Sequence, residues 1–241
     1  MTLTKNTEIL RAEVAAHISA DALVRGSYWK PSENAVGGQG CFISCLTHSS
    51  DPKPALERFG LPVAVLRIAE NIFEDLPDDE AAAFFAALPD AVGRDGKDLS
   101  RVQWGFLAAE LRAMPKTTDA AQAVIDPVIE GMDLLFSGQQ WTATKATKAT
   151  KAAKAAAEES TKAAKAAEAA KAAEAAAEAA AYAAASAAYA AKVAAYAATH
   201  AAYAAAYAAY AAAEESSKAA DAAGRARLRQ RDTLLALIAA A

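Results

Sequence analysis

From Gln139 to Ala223 the sequence contains neither glycine nor proline. Nothing in that stretch forces a turn, which excludes a fold punctuated by tight loops there. Cysteine is scarce as well. Two in 241 residues exclude a disulfide-rich secreted scaffold. Positive charge is not in excess: 25 Lys and Arg against 29 Asp and Glu leave a net charge of −4, which excludes a strongly basic nucleic-acid binder. No run of 18 bulky apolar residues occurs, so no membrane span is expected. The N-terminal MTLTKNTEIL lacks an apolar h-region and a small-residue cleavage site, so it does not read as a secretory signal. With two free thiols, this fits a reducing cytoplasm.

What is present falls into two unlike parts. Residues 1–140 hold 12 basic and 20 acidic side chains, net −8; residues 141–241 hold the other 13 and 9, net +4. All eight prolines and ten of the eleven glycines lie in the first part. In residues 151–220, 42 of 70 positions are alanine, so the 54% hydrophobic content overstates what can be buried. The organisation expected is an acidic helical head (1–140), an alanine-rich helical region (141–223) and a short amphipathic C-terminal helix (224–241) set off by a break at Gly224. The expected fold class is all-α: a small helical head domain plus a long, close-packed alanine-rich helix or helical hairpin.

Within the head, Thr7 can cap a helix to about Ala20 with Ile9, Leu10, Val14 and Ile18 on one face. Arg25 to Gly40 reads as loop. Cys41 to Leu46 is a buried helix or strand, too short for periodicity to decide. Pro62 suits the first turn of a helix through about Asp75. Asp78 or Asp79 can cap another that Pro89 ends. Asp98 or Ser100 can start a helix that stops before Pro115, and Thr118 or Asp119 one through Phe136, bent at Pro127. Leu66, Ile72, Phe73, Phe84, Phe85, Trp104, Phe106, Leu107, Leu111, Val124, Ile125, Leu134 and Leu135 form the expected core.

The alanine-rich region is strongly helix-forming. As one helix, its 85 residues would run roughly 125 Å. Its other residues are ordered: Glu158, Lys162, Lys165, Glu168, Lys171, Glu174, Glu178, Tyr182, Ser186 and Tyr189 open a series in steps of three and four. Tyr182, Tyr189, Tyr196, Tyr203 and Tyr210 recur every seven residues, with Tyr207 between the last two. EESTKAA at Glu158 returns as EESSKAA at Glu214, 56 residues on. A 3.5-residue period holds one stripe in line only on a left-handed supercoil. The charged stripe is expected to stay wet and the methyl surface to pack. Each buried alanine methyl contributes only about 0.8 kcal/mol, but dozens act together. The tyrosines lie along neighbouring helices with their hydroxyls in water. This predicts a homo-oligomer through the alanine-rich helices, with the tyrosines as self-association residues. The alternative is a lone solvated helix, which Lys/Glu-spiced polyalanine also forms.

After Gly224, Arg225, Arg227, Arg229 and Arg231 make a short basic patch. Nucleic acid is the lesser reading; pairing with the acidic head is the expectation. Leu228, Leu234, Leu235, Leu237 and Ile238 can dock on the head or on a second chain.

Chemistry is concentrated in GCFISCLTH. On a helix, Cys41, Cys45 and His48 stand at i, i+4 and i+7 on one face, with Cys41 near an N-terminus whose dipole lowers a thiol pKa. Three readings stay open: a nucleophilic Cys with His as base, a zinc site completed by Asp51, His17 or Glu70, or two small buried thiols with His48 as helix terminator. The C-x3-C-x2-H spacing is not a strong zinc signature. GGQG (Gly37 to Gly40) could cradle an anion or form a turn; no GK[ST] and no βαβ pattern surround it, and no cofactor is expected. Glu70 and Glu74 share a helix face, where Arg67 can pair with Glu70 or Asn71.

GGQGCFISCLTHS followed by FGLPVAVLRIAENIFEDLP resembles an uncharacterised group of bacterial and phage proteins. That group carries a GC-x-x-GC-x-x-H element, then a helix with an R…IFE pattern, and often an alanine-rich tail. The resemblance spans Gly40 to Leu76, on Cys41, Cys45, His48, Pro62, Arg67, Ile72, Phe73 and Glu74; Ser44 departs from the group's glycine. It implies no reaction, and makes the Cys/His element part of the head's design. Alanine-rich antifreeze helices are similar in composition only, because the threonines Thr142, Thr144, Thr147 and Thr150 do not continue. Three functions follow: a structural or interaction protein whose alanine-rich helices build a bundle, tube or filament; a Cys/His enzyme or metal module on a helical tether; or a phage or host-defence factor binding a partner through the tail.

Overall fold

A computed structural model of the chain describes residues 2–115, 119–142, 144–149, 152 and 219–241. Among the described residues the fold is all-α apart from one pair of two-residue strands and an isolated bridge between Leu23 and Gly40. The tyrosine series and the choice between one long helix and a hairpin lie outside the described residues. The described chain forms two compact units, Met1–Val102 with Arg227–Ala241, and Gln103–Ala226. Neither boundary falls at residue 140 or at Gly224.

The first unit begins with α1 (Thr7–Ser19). Its cap is not Thr7 but a distant carboxylate. Asp95 accepts from the Thr7 amide (2.8 Å), the Thr7 hydroxyl (2.6 Å) and the Asn6 amide (3.1 Å). That places a negative charge on the helix's N-terminal orphan donors. The buried face is Thr7, Leu10, Val14 and His17, packed on α5. Ile9 and Ile18, expected inside, are 47% and 36% exposed, because the 3.6-residue phase turns them away. Inside the segment expected to be loop, β1 (Lys30–Pro31) pairs antiparallel with β2 (Gly38–Gln39).

α2 (Phe42–Thr47) settles the Cys41 to Leu46 ambiguity in favour of helix. Phe42, Ile43, Ser44, Cys45 and Leu46 are all buried, and a helix buried on every side shows no amphipathic pattern. Phe42 is its anchor, with ring centroids 5.9, 5.4 and 5.1 Å from those of Phe73, Phe84 and Phe85. α3 (Lys53–Phe59) is an additional helix, absent from the expected elements; Pro52 at its N-cap and Pro54 in its first turn both stand where a helix start tolerates them. α4 (Val63–Asp75) follows Pro62, which lies just outside rather than in the first turn. It buries Ala64, Val65, Leu66, Ile68, Ala69, Ile72 and Phe73.

α5 (Asp78–Val92) opens with Asp78, Asp79 and Glu80, favourably placed for the dipole. Pro89 does not end it. A proline in the last turn forfeits one backbone hydrogen bond, and burial of Leu88, Ala91 and Val92 outweighs that loss.

The last helix of the chain, α8 (Ala219–Ala240), runs straight through Gly224, where a break was expected. Glycine weakens a helix by only about 1 kcal/mol, and the part from Arg227 onward is held firmly. Leu234 and Ile238 are fully buried. Arg227 pairs with Asp75 and Arg231 with Glu80, as expected of a basic patch meeting an acidic head. Lys97 Nζ donates to the terminal carbonyls of Ile238 (2.8 Å) and Ala239 (2.9 Å).

The second unit holds most of α6 (Val102–Ala113) and all of α7 (Asp119–Phe136), with Pro127 inside the latter. α6 starts two residues after Ser100, whose amide is taken by the Asp98 carboxylate (3.0 Å). Trp104, Phe106, Leu107, Leu111, Val124 and Ile125 are buried as expected, with Val128 and Met132. Leu134 and Leu135 are only half-buried. Arg112 on α6 pairs with Asp133 on α7. Trp141, 3% exposed, sits against Gly131, and a Cβ added to that glycine would lie 2.2–2.5 Å from three indole carbons. The first residues of the alanine-rich region are thereby pinned to α7.

Candidate functional site

α2 is six residues long, and its two flanking residues are the ones of chemical interest. Cys41 is its N-cap with extended backbone; His48 is its C-cap with φ +54°, a left-handed residue that ends the helix. Because neither is a full helical position, the one-face arrangement of Cys41, Cys45 and His48 does not form. The two thiols and the imidazole have separate neighbours.

Cys41 Sγ donates to Glu70 Oε1 at 3.1 Å. Ser44 Oγ lies 3.2 Å from the same sulfur and can then donate to it. Arg67 Nη1 donates to the other oxygen of Glu70 at 2.6 Å, and its Nη2 donates to the Ser50 carbonyl at 3.2 Å. Asn71 Nδ2 donates to the Arg67 carbonyl at 3.0 Å. The result is a chain Arg67–Glu70–Cys41–Ser44 that runs from a part-exposed guanidinium to a buried hydroxyl. Burial pushes the Cys41 thiol up; Ser44 opposes this, and the Glu70 carboxylate adds to it. The helix dipole was expected to act the other way, and loss of water outweighs it. Cys45 donates to the carbonyls of Gly40 (3.3 Å) and Ala22 (3.5 Å), and burial pushes its thiol up to about 12. Both cysteines are free and buried.

His48 belongs to an aromatic group instead. Its ring stacks on Trp29 at 4.3 Å between centroids and 13° between planes. Its centroid is 5.5 Å from that of His17, which in turn meets Trp29 edge-on at 6.2 Å. Burial lowers the His48 pKa, and the neighbouring His17 lowers it further. His17 is 3% exposed, its Nδ1 bonded to the Glu13 carbonyl at 2.9 Å. Its Nε2 is buried without a hydrogen-bond partner. No hydrogen bond joins His48 to either sulfur, so a Cys–His nucleophile pair is not assembled.

The three residues considered as a fourth zinc ligand are dispersed. Glu70 serves Cys41, His17 faces His48, and Asp51 Oδ1 accepts from the Lys53 amide (3.0 Å) at the start of α3. Among the described residues, no group of three or more His, Cys, Asp or Glu side chains converges as a metal ion requires. The GGQG amides are also engaged: Gly37 N donates to the Asn34 carbonyl (2.9 Å), Gly38 N to Asn34 Oδ1 (2.8 Å) and Gly40 N to the Ala22 carbonyl (2.9 Å), and the next amide, Cys41 N, donates to the Ser27 carbonyl (2.9 Å). These glycines serve close packing. A Cβ at Gly38 would fall 2.4 Å from the Trp29 ring, and one at Gly40 2.7 Å from Ser44 Cβ. Glu74 accepts from the Gly26 amide, and burial raises its pKa.

The sequence did not flag Trp29 as part of this region. It sits in a loop with no periodicity, and only the small residues of GGQG, which make room for the indole, hint at it. An open cleft of about 410 Å³ lies nearby in the same unit, lined by Ile18, Leu23, Val24, Phe73 and Asp78 among others. Among the described residues, no helix is long and apolar enough to cross a membrane. Compared with protein-family models, with curated proteins and with solved structures, the chain matches none.

Proposed function

We propose that this is a structural or interaction protein whose alanine-rich region associates with further copies of itself and presents the folded units that flank it. The observation that carries the reading is the 3.5-residue stripe of non-alanine residues, with five tyrosines at seven-residue spacing from Tyr182 to Tyr210. Small residues elsewhere permit close helix approach over a long surface. Folded structure at both flanks supports the reading. On one side Trp141 is locked against Gly131. On the other, α8 is fastened by Leu234, Ile238 and two ion pairs. A Cys/His enzyme is the poorer reading, because both thiols are held protonated and neither meets the imidazole.

Static light scattering of the full-length protein across a concentration series tests the proposal. A mass of several chains is expected, falling when Tyr182, Tyr189, Tyr196, Tyr203 and Tyr210 are together changed to Glu. A mass of 24.8 kDa, that of one chain, at every concentration would overturn it.

A further inference from the structure

We infer that His17 and His48 together form a binding site for a first-row divalent transition-metal ion, with Trp29 as its structural support. Such a site would function whether or not the chain self-associates.

His17 carries an unpartnered ring nitrogen. The Glu13 carbonyl can only accept, so the 2.9 Å contact makes Nδ1 the protonated nitrogen of His17. In the neutral ring Nε2 then carries a lone pair, and that atom is buried with no donor to meet it. A buried acceptor left alone is costly. An Nδ1–H donated to a backbone carbonyl is also how metal-binding histidines fix ring and tautomer so that Nε2 faces the ion.

The second imidazole stands at a suitable separation. With metal–nitrogen bonds of about 2.0–2.1 Å, an ion lies about 3.2 Å from each ring centre. Two imidazoles at a tetrahedral angle then have centroids about 5.2 Å apart. The His17–His48 separation is 5.5 Å, with planes at 53°. Trp29 covers a face of His48, whereas a metal binds at a ring edge, so the stacking orients this ligand without blocking it. His48 is exposed and gives the ion a way in from solvent. His17 Nε2 is shut off from solvent, so any water that completes the coordination enters on the exposed His48 side. Imidazole nitrogens select the Co²⁺–Ni²⁺–Cu²⁺–Zn²⁺ series over Mg²⁺ and Ca²⁺.

Titration of the full-length protein with Zn²⁺ by calorimetry, and with Co²⁺ by absorption, tests this. One equivalent is expected to bind, with visible Co²⁺ bands and no thiolate-to-cobalt band in the near ultraviolet. His48→Gln should weaken binding at least about tenfold, as should His17→Gln. Cys41→Ser should leave it unchanged. His48 is at an exposed helix end, so its variant is informative even if His17→Gln misfolds. No saturable binding, undiminished binding in His48→Gln, or a thiolate–cobalt band would each overturn the inference.

Discussion

Gly131→Ala sets two opposed effects against each other at one atom. Alanine is favoured over glycine in a helix interior by about 1 kcal/mol, and Gly131 lies within α7. On that ground alone the substitution stabilises. The added Cβ, however, would sit 2.2, 2.3 and 2.5 Å from three carbons of the Trp141 indole, where carbon atoms in contact prefer about 3.5–4.0 Å. Overlap of more than about 1 Å at a rigid ring cannot be absorbed by a few tenths of an ångström of give, so the indole must leave its site. Trp141 is 3% exposed, and losing a buried Trp side chain costs about 3–5 kcal/mol. The net expectation is destabilisation by about 2–4 kcal/mol, read from urea unfolding by circular dichroism, with Trp emission shifted to the red. On a Trp141→Ala background the clash disappears, and the same Gly131→Ala change should stabilise by about 1 kcal/mol. A Gly131→Ala protein at least as stable as its parent, with unchanged emission, would refute the notch.

Other predictions test the first unit. Phe42→Ala should destabilise by about 3–5 kcal/mol, since Phe42 is 0% exposed among three phenylalanine rings; thermal unfolding checks it. Leu234→Ala or Ile238→Ala should each cost about 2–4 kcal/mol in denaturant unfolding, and a value near zero would mean that α8 is not docked. The Cys45 thiol, raised from 9.0 to about 12, stays protonated in the fold while the unfolded chain ionises. Its contribution is therefore complete below pH 9 and is lost as pH rises toward 12, up to about 4 kcal/mol in all. Cys45→Ala should flatten that alkaline decline, and a disulfide reagent at pH 8 should modify Cys45 only on unfolding. Asp95, lowered by the hydrogen bonds from Thr7, contributes in the opposite sense. Its stabilisation is present above the ordinary carboxylate value and is lost as pH falls through the lowered one, so Asp95→Asn should shift the acid-unfolding midpoint.

The fold class was legible because breakers and periodicity agree along most of the chain. α4 shows how: its apolar residues repeat at helical spacing from Ala64 to Phe73, and the structure buries that face. Local rules failed where distant partners decide. Asp95 caps α1 from about 88 residues away, so Thr7 lost the role that its neighbours alone would assign it. Ile9 and Ile18 are as apolar as Leu10 and Val14, and only the position of α5 says which pair faces inward. The candidate site was half legible. GCFISCLTH did mark a structured element, and Glu70 and His17 do lie beside its members. The spacing rule then assumed one continuous helix, whereas α2 is too short to contain Cys41 or His48. The neighbours of the thiols, Glu70 and Ser44 at Cys41 and the Ala22 and Gly40 carbonyls at Cys45, are brought there by the packing of α2, which no motif encodes.

The return of α8 to the first unit orders events during synthesis. Leu234 and Ile238 complete a core whose other residues precede Val102. Between Val102 and Arg227 the ribosome adds 124 residues, which takes about 6–25 s at roughly 5–20 residues per second. Throughout that interval the nascent first unit exposes the apolar seat of α8, and the whole alanine-rich region is made before the seat is filled. A chain stalled between these points is the species most prone to bind chaperones or to be filled by the α8 of a neighbouring molecule on the same message.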